Sequence, residues 1–249
     1  MKPFNVYIVN LERDKERRLY MDKLLTKHEF PPYTFFQAVY GKQLSQAYID
    51  NIYDECTTYK RYGRKLNRGE IGCTLSHYEC YKKILEQDDF ALILEDDISI
   101  IRNVDIIYSL DVFLKTKTPI VLFLSGDYWF YRRKRINGNY KIASVYDAVG
   151  TYAYFINKAA AKLILEKNKK VACAADNWSL YRRQGVKLMA VYPYLIDANI
   201  ESFRSTINQT CFGECRENMP INMKLIAYWN VLVKKIILNC GGFVSKIRK

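Results

Sequence analysis

The most constraining feature of the sequence is the stretch from Phe90 to Asp97, which reads FALILEDD. Five apolar residues there run directly into three consecutive carboxylates. A short, continuous apolar run that follows a helical pattern is typical of a strand buried on both faces of a sheet. Such a strand lies mid-sheet in an α/β domain, and ligands of these domains bind outside the carboxyl ends of the strands. The stretch therefore predicts an α/β fold with a site at the end of this strand.

The three carboxylates belong to Glu95, Asp96 and Asp97. Adjacent anions repel one another, so a bound cation would offset their repulsion. Carboxylates suit hard cations such as Mn²⁺ and Mg²⁺, and Mg²⁺ commonly bridges carboxylates to the phosphates of a substrate. The alternative is that one aspartate caps a turn while the glutamate faces solvent, because short acidic turns are common. This stretch alone leaves both interpretations open.

The charge of the chain points to an anionic partner. The 249 residues, enough for one large domain or one domain with an extension, carry a formal net charge of +13. A strongly positive chain favours a diphosphate, a phosphorylated glycan, a membrane surface or a nucleic acid. No helix-turn-helix, RNP or zinc-finger pattern occurs in the sequence, so a nucleic-acid partner is not expected.

The seven cysteines indicate a reducing compartment, because their number is odd and none forms a C-x-x-C pair. Cys73 and Cys80 lie two turns apart in a predicted helix, which is too far for a disulfide. Cys211 and Cys215 lack a second pair of ligands for zinc. We also expect no signal peptide, and no membrane-spanning segment, because no uncharged apolar run of about 18 residues occurs.

The hydrophobic patterns predict an alternation of strands and helices around a mixed sheet. Besides the central stretch, strands are expected over residues 4–9, 33–39, 119–124, 150–156 and 187–192. Helices are expected over 14–27, 43–53, 69–87, 104–115 and 158–167, with a loop over 57–68. Asn137-Gly138 predicts a hairpin turn. Asn157 and Asp176 are expected to cap the helices that follow them.

Two predicted helices begin with features that suit an anionic ligand. Arg13 and Arg17 lie in the first turns of the first helix, where the helix dipole favours anions over cations. A bound anion would explain the two arginines. The alternative is a basic helix face exposed to solvent. The sequence GEIG at 69–72 opens the helix that carries Ser76 and His77, and helix N-termini bind anions. No phosphate-loop motif occurs there, and a lone helical histidine is also commonly a buried, hydrogen-bonded residue.

The character of the chain changes after about residue 210. Residues 221–238 are apolar, with Lys224, Lys234 and Lys235 as interruptions, and Lys246, Arg248 and Lys249 follow. This pattern is typical of an amphipathic basic helix that lies on an anionic membrane surface. The alternative is a C-terminal helix that packs on the core.

Six segments of the chain, taken together and in this order, carry a family resemblance. They are VYIVNLERDKERR, FQAVYGKQL, NRGEIGCTLSHYECYKKI, ALILEDDI, GTYAYFINKAAAKL and ADNW. They resemble glycosyltransferase family 25, the lipooligosaccharide galactosyltransferase family, whose relatives include collagen galactosyltransferases. The GEIGC-x-LSH segment followed by LEDD is specific as a pair. The resemblance implies a GT-A-type fold over residues 1–210, with residues 211–249 as a basic amphipathic extension outside it.

The resemblance also implies roles for particular residues. Asp97 and Glu95 look like the metal ligands and Asp96 like a donor-binding residue, in the place of the family's Asp-x-Asp site. Asp176 matches a late aspartate of the family and is the candidate general base. The other donor-side positions are Asn10, Leu11 and Arg13 for the uridine pocket, and Arg17, Ser76 and His77.

The function implied is an inverting transfer of a hexose, galactose in β-linkage, from a UDP-sugar to a lipooligosaccharide or LPS core. The cofactor would be Mn²⁺ or Mg²⁺, and the acceptor an anionic glycolipid at the inner, cytoplasmic face of the bacterial cytoplasmic membrane. One alternative is the same fold with UDP-glucose or a UDP-N-acetylhexosamine as donor. Another is a non-catalytic basic protein that binds anionic membrane or nucleic acid.

Overall fold

The computed structural model describes residues 4–199 and 215–244. Its strands, β1 to β11 in chain order, are Asn5–Asn10, Tyr33–Gln37, Phe90–Glu95, Ile98–Ile100, Ile120–Phe123, Tyr128–Asn137, Tyr140–Ala148, Ala153–Asn157, Lys187–Tyr192, Ile196–Ala198 and Phe243–Val244. Its α-helices, α1 to α8, are Lys15–Lys27, Gln46–Ile52, Glu55–Tyr62, Arg68–Gln87, Asp111–Leu114, Lys158–Lys167, Trp178–Arg183 and Ile221–Asn239.

Nine of the strands form one mixed sheet in the order β11-β6-β7-β9-β5-β8-β3-β1-β2, while β4 and β10 pair separately. β1 lies between two parallel neighbours, β2 and β3, and Ile8 of β1 is opposite Leu94 of β3. The other neighbour of β3 is β8, which is antiparallel. The predicted α/β class with a mixed central sheet is confirmed.

β3 is apolar from Phe90 to Leu94 because both of its faces are covered. Ala91 and Ile93 belong to the hydrophobic cluster that contains the buried face of α4. Phe90, Leu92 and Leu94 belong to the cluster on the opposite face of the sheet, with α1. This double burial is why the strand shows no alternation of apolar and polar residues. The chain becomes acidic only where β3 ends.

The start of α4 is fixed by a capping box. The side chain of Asn67 accepts a hydrogen bond from the backbone of Glu70, and the Glu70 side chain accepts one from the backbone of Asn67. Two residues later, Gly72 lies against the segment that follows β2: a Cβ there would be 2.6 Å from the backbone nitrogen of Gly41 and from the oxygen of Val39. Only a glycine allows this approach of two backbones.

Three sequence expectations are corrected. The predicted loop over 57–68 contains α3, because the Asp54 side chain caps Thr57 and Gly63 ends the helix in the left-handed conformation. Asp176 does not cap the late helix, since Asn177 does so by accepting from the Leu180 backbone.

The expected helix over 104–115 is the third correction. It is a 3₁₀ segment at Asp105–Ser109 followed by the four-residue α5. Ile106, Ile107, Leu110 and Leu114 are all buried. The packing of these side chains in the core therefore takes precedence over a continuous regular helix. The hairpin at Asn137-Gly138 and the Asn157 cap are confirmed.

α8 confirms the predicted C-terminal helix, which packs on β6 and β7 along one side. Lys234 pairs with Asp147 at 2.5 Å, and Tyr146 donates to Asn230 at 2.9 Å. None of the helices among residues 4–199 and 215–244 is long and apolar enough to cross a bilayer. The expected boundary after residue 210 and the basic residues at 246–249 lie outside the described residues.

Candidate active site

A cavity opens where β1 and β3 end, between the start of α1, the segment after β2 and the first half of α4. Carboxylates lie on one side of the cavity, and apolar side chains and backbone atoms lie on the other. The lining residues are Val9, Leu11, Asp14, Arg17, Ala38, Val39, Tyr40, Gly41, Lys42, Gly69, Cys73, Ser76, His77, Glu95, Asp96 and Asp97. The site therefore lies at the carboxyl ends of parallel strands, where ligands of α/β sheets collect.

Asp96 is held by two side chains from the start of the chain. The Asn10 amide donates to one of its oxygens at 2.7 Å, and Arg17 donates to the other at 2.7 Å. Burial lowers the pKa of Arg17, but the hydrogen bond and charge of Asp96 outweigh this, so the pKa is raised overall. Burial raises the pKa of Asp96, against the influence of Asn10 and Arg17. The structure thus brings these three sequence-predicted residues together.

Asp97 presents an unsatisfied oxygen. Its Oδ2 accepts from Arg17 at 3.0 Å, but its Oδ1 is buried and has no hydrogen-bond partner. Burial, followed by the negative charge of Glu95, raises the pKa of Asp97 to about 7. A buried carboxylate oxygen without a donor is costly unless a proton or a cation is present. The oxygen ligands of Asp97 and Glu95 therefore fit a hard divalent cation.

Glu95 ends β3 and is held by the neighbouring strand segment. The hydroxyl of Thr151, just before β8, donates to its Oε1. His77 Nε2 lies 3.9 Å from the same oxygen. The Sγ of Cys73, the ring nitrogens of His77 and the carboxylate of Glu95 offer ligand atoms within 4.8 Å of one another.

His77 is both a hydrogen-bonded core residue and a cavity residue. It is 1% exposed, and its Nδ1 lies 2.7 Å from the hydroxyl of Tyr154, which in turn lies 2.8 Å from that of Tyr81. Its Nε2 is buried with no hydrogen-bond partner. One ring nitrogen thus serves the core, as the structural interpretation of the sequence expected, and the other faces the cavity.

Of the residues expected to form the uridine pocket, Leu11 lines the cavity, while the others contact residues that line it. Leu11 lines the cavity, while Asn10 does not and acts through Asp96. The Arg13 guanidinium lies 4.0 Å from the centre of the Tyr40 ring, which lines the cavity. Ser76 Oγ donates to the Gly72 carbonyl at 2.7 Å and accepts from the Val39 amide at 2.8 Å, so it joins α4 to the segment after β2.

Asp176 is not among the residues that line the cavity. Its Oδ2 accepts from the Gly150 amide at 3.1 Å, and the carbonyl of Gly150 accepts from the Trp178 indole at 2.9 Å. Burial raises the pKa of Asp176; the Gly150 amide counteracts this and the charge of Glu95 adds to it. Asp176 therefore lies outside the cavity lining, on the segment that leads into α7.

Five polar residues in or beside the cavity were not predicted as site residues from the sequence: Asp14, Tyr40, Lys42, Cys73 and Thr151. The spacing of four between Cys73 and His77 on a predicted helix was a signal that both side chains share one face. Thr151 had no local signal, because its position depends on the pairing of β8 with β3.

Comparison with known proteins decides the family. The sequence profile described as glycosyltransferase family 25 (LPS biosynthesis protein) matches residues 4–179. The chain belongs to glycosyltransferase family 25. The α/β fold with a mixed central sheet agrees with the fold expected from the resemblance.

Individual relatives match this family 25 chain over stretches of different length. Procollagen galactosyltransferase 1-B of Xenopus laevis is 36% identical over 97 residues, which are 37% of this chain and only 16% of that relative. A glycosyltransferase 25 family member of Aedes aegypti is 37% identical over 105 residues, 38% of this chain and 16% of the relative. A protein of Acanthamoeba polyphaga mimivirus is 28% identical over 210 residues, which cover 79% and 63% of the two chains.

Among solved structures, the chain is similar to a glycosyltransferase involved in the glycosylation of the major capsid of PBCV-1. The TM-score is 0.39 and the identity 10%, over 78% of this chain and 92% of the other.

Proposed function

We propose that this family 25 chain is a metal-dependent glycosyltransferase that transfers a hexose from a UDP-sugar with inversion at the anomeric carbon. The observation that carries the proposal is the buried, unpartnered Oδ1 of Asp97 beside Glu95, at the carboxyl end of β3. A carboxylate in this position fits a divalent cation, and a cation fits the diphosphate of a nucleotide-sugar. Family membership supports the transfer of a sugar.

Asp97 and Glu95 are the proposed ligands of the cation, which is Mn²⁺ or Mg²⁺. When bound, the cation stabilises the negative charge that develops on the departing UDP. Arg17 already forms ion pairs with both Asp96 and Asp97. It therefore holds the two carboxylates in place before a cation arrives, and it offers a positive group beside the diphosphate afterwards.

The nucleoside end of the donor is proposed to lie against Leu11 and Tyr40. These side chains, with Val9 and Ala38, form the apolar part of the cavity wall. Arg13 lies over the ring of Tyr40, with its guanidinium 4.0 Å from the ring centre, and is proposed to support that ring. Lys42 is exposed at the cavity mouth, where a cation suits a phosphate.

Asp176 is the proposed general base. In a single displacement, the acceptor hydroxyl oxygen bonds to the anomeric carbon, the carbon–oxygen bond to UDP breaks, and the hydroxyl proton passes to a carboxylate. Burial raises the pKa of Asp176, which makes it a better proton acceptor than an exposed aspartate. The Gly150 amide donates to one carboxylate oxygen of Asp176, and the proposed role of the carboxylate is to accept the proton of the acceptor hydroxyl.

Galactose from UDP-galactose is the proposed sugar, because relatives bear the name procollagen galactosyltransferase. UDP-glucose and UDP-N-acetylhexosamines are the competing donors. A lipooligosaccharide or LPS core is the proposed acceptor, in agreement with the description of the family and with the net charge of +13. The place of action is then the inner face of the cytoplasmic membrane.

α8 supports the membrane part of the proposal. Leu225, Trp229, Leu232 and Ile236 follow a helical spacing and are all exposed, Leu225 by 64% and Trp229 by 63%. Exposed apolar groups on a basic helix bind the boundary of an anionic bilayer. Residues 211–249 would thus be the extension that brings the domain to its acceptor.

A vesicle experiment tests this surface. The double variant Leu225→Ser/Trp229→Ser is expected to bind vesicles containing anionic phospholipid at least tenfold more weakly than the unchanged chain. Val112→Ser is the matched control, because Val112 is 72% exposed on α5, outside the stripe. Equal binding by both variants would contradict the membrane proposal.

The central test is release of UDP without an acceptor. The chain is incubated with Mn²⁺ and, separately, UDP-galactose, UDP-glucose and UDP-N-acetylhexosamines. Slow release of UDP from one sugar is expected. It should be lost in EDTA and in the Asp97→Ala variant. It should be kept in the control variant Asp111→Ala, because the carboxylate of Asp111 pairs with Lys115 at the surface. No release from any sugar together with no UDP binding by calorimetry would overturn the proposal in favour of a non-catalytic binding protein.

A further inference from the structure

Cys73 and His77 present a second kind of ligand set in the wall of the same cavity. They are one turn apart on α4, so both side chains lie on the same face of the helix. Both line the cavity together with Glu95, which reaches them from the end of β3. Their ligand atoms lie within 4.8 Å of one another.

The chemistry of this set differs from that of Asp97. A thiolate, an imidazole and one carboxylate are the ligands that Zn²⁺ and Co²⁺ take in proteins, whereas Mg²⁺ and Mn²⁺ prefer oxygen. Neighbouring ligand atoms around a tetrahedral Zn²⁺ lie about 3.5 Å apart. The separation of 3.9 Å between His77 Nε2 and Glu95 Oε1 is close to that value.

The environment of His77 supports a ligand role independently. Its Nε2 is buried and has no hydrogen-bond partner, and it faces Glu95. Its Nδ1 is held by the hydroxyl of Tyr154, which Tyr81 holds in turn. Histidine ligands of metals almost always have their second ring nitrogen fixed by such a partner, which sets the tautomer and the ring orientation.

We infer that Cys73, His77 and Glu95 form a binding site for a divalent transition metal of the Zn²⁺ or Co²⁺ class. Three protein ligands leave a fourth position, which opens into the cavity because all three residues line it. Glu95 is also a proposed ligand of the catalytic cation. On the proposed function, Zn²⁺ bound here withdraws Glu95 from that cation, and Zn²⁺ therefore inhibits donor turnover.

Titration with Co²⁺ tests the site itself. A thiolate-to-cobalt charge-transfer absorption is expected at one equivalent, and the Cys73→Ser variant should lose it. The matched control replaces Cys56, Cys211, Cys215 and Cys240 together by serine and should keep the absorption. Absorption that persists in Cys73→Ser, or that disappears in the four-cysteine control, would overturn the site.

A second variant separates ligand loss from unfolding. His77→Gln is expected to weaken Co²⁺ binding at least tenfold, and circular dichroism establishes that each variant is folded. Should His77→Gln unfold, Glu95→Gln replaces it with the same expectation. Unchanged Co²⁺ affinity in the folded variant would overturn the site.

The site and the proposed function fail separately. If the chain binds Co²⁺ through Cys73 but neither binds UDP nor releases it from any sugar, the metal site is supported and the proposed transferase function is overturned. If the chain turns over its donor, Zn²⁺ is expected to inhibit the unchanged chain at least tenfold more strongly than Cys73→Ser. Equal inhibition of both would overturn the inferred regulation.

Discussion

The guanidinium of Arg17 lies 2.7 Å from Oδ1 of Asp96, and the two side chains are only 11% and 10% exposed. The pair joins the first turn of α1 to the end of β3. Arg17 also reaches Asp97 at 3.0 Å, so one buried cation serves two carboxylates. Removal of such a cation leaves two buried anions without compensation.

Arg17→Ala is expected to lower the free energy of unfolding by about 3 kcal/mol in the absence of metal, which is the usual cost of breaking a buried ion pair from one side. Urea denaturation in EDTA measures it. Arg18→Ala is the control on the same helix: Arg18 is exposed and contacts the Phe35 ring, so its loss should cost less than about 1 kcal/mol. Equal losses for the two variants would contradict a central role for the buried pair.

Asp97→Asn is expected to stabilise the metal-free chain above pH 7 and to change the pH dependence of its stability. The pKa of Asp97 is raised from 3.8 to about 7 by burial and then by Glu95. Between these values the folded chain binds more protons than the unfolded one, so its stability falls as the pH rises from about 4 to 7. The effect amounts to about 1.4 kcal/mol for each unit of the pKa shift.

Melting temperatures from pH 4 to 8 in EDTA check this prediction. The stability difference between Asp97→Asn and the unchanged chain should grow as the pH rises and level off above 7. Asp111→Asn is the control: a hydrogen bond from Lys115 lowers the pKa of Asp111 from 3.8, so Asp111 is ionised in both states and the stability difference should stay nearly constant over this pH range. A difference for Asp97→Asn that does not vary with pH would show that Asp97 titrates normally.

Asp176→Asn is expected to reduce the turnover of donor with acceptor by about 10²- to 10⁴-fold, as for loss of a general base. UDP binding should be unchanged, because Asp176 lies outside the cavity lining while an amide still accepts from Gly150. Steady-state kinetics and calorimetry measure the two quantities. Asp22→Asn, on α1, serves as the control for loss of a carboxylate elsewhere. Normal turnover in folded Asp176→Asn would assign the base to another group.

Gly72→Ala is expected to destabilise the chain by about 3 kcal/mol, even though alanine favours a helix by about 1 kcal/mol. The added Cβ would lie 2.6 Å from backbone atoms of Gly41 and Val39, which cannot move without opening the cavity wall. UDP binding should fall in parallel. Gly138→Ala is the comparison, because nothing lies within 4 Å of its Cβ position and only its positive φ of 51° opposes the change. Equal stability losses would contradict the backbone contact.

The parts of the fold that follow local rules were predictable from the sequence. β3 was evident because five apolar residues precede the acidic triplet, and Asn157 and Asn137-Gly138 carry their structural meaning within a few residues. The position of the acidic triplet at the carboxyl end of β3 followed from the same pattern. α3 was missed although Asp54 and Gly63 mark its two ends, because its polar composition resembles that of a loop.

The site was less predictable because it depends on contacts between distant segments. Arg17 was selected as a cation at a helix start, but only the parallel pairing of β1 with β3 places it against Asp96. Thr151 reaches Glu95 only because β8 lies antiparallel to β3. Such pairings are set by the whole sheet and leave no trace in the neighbouring residues.

The cavity is lined mainly by acidic charges, although the chain as a whole carries a positive net charge. Four carboxylates, those of Asp14, Glu95, Asp96 and Asp97, line it against two cations, while the whole chain carries a charge of +13. The long-range field draws an anionic nucleotide toward the molecule, yet the cavity floor repels it until a divalent cation has arrived. On the proposed function, the cation is therefore expected to bind first and the nucleotide-sugar second. Added salt is then expected to slow the encounter with the nucleotide, because it screens the long-range field of the chain.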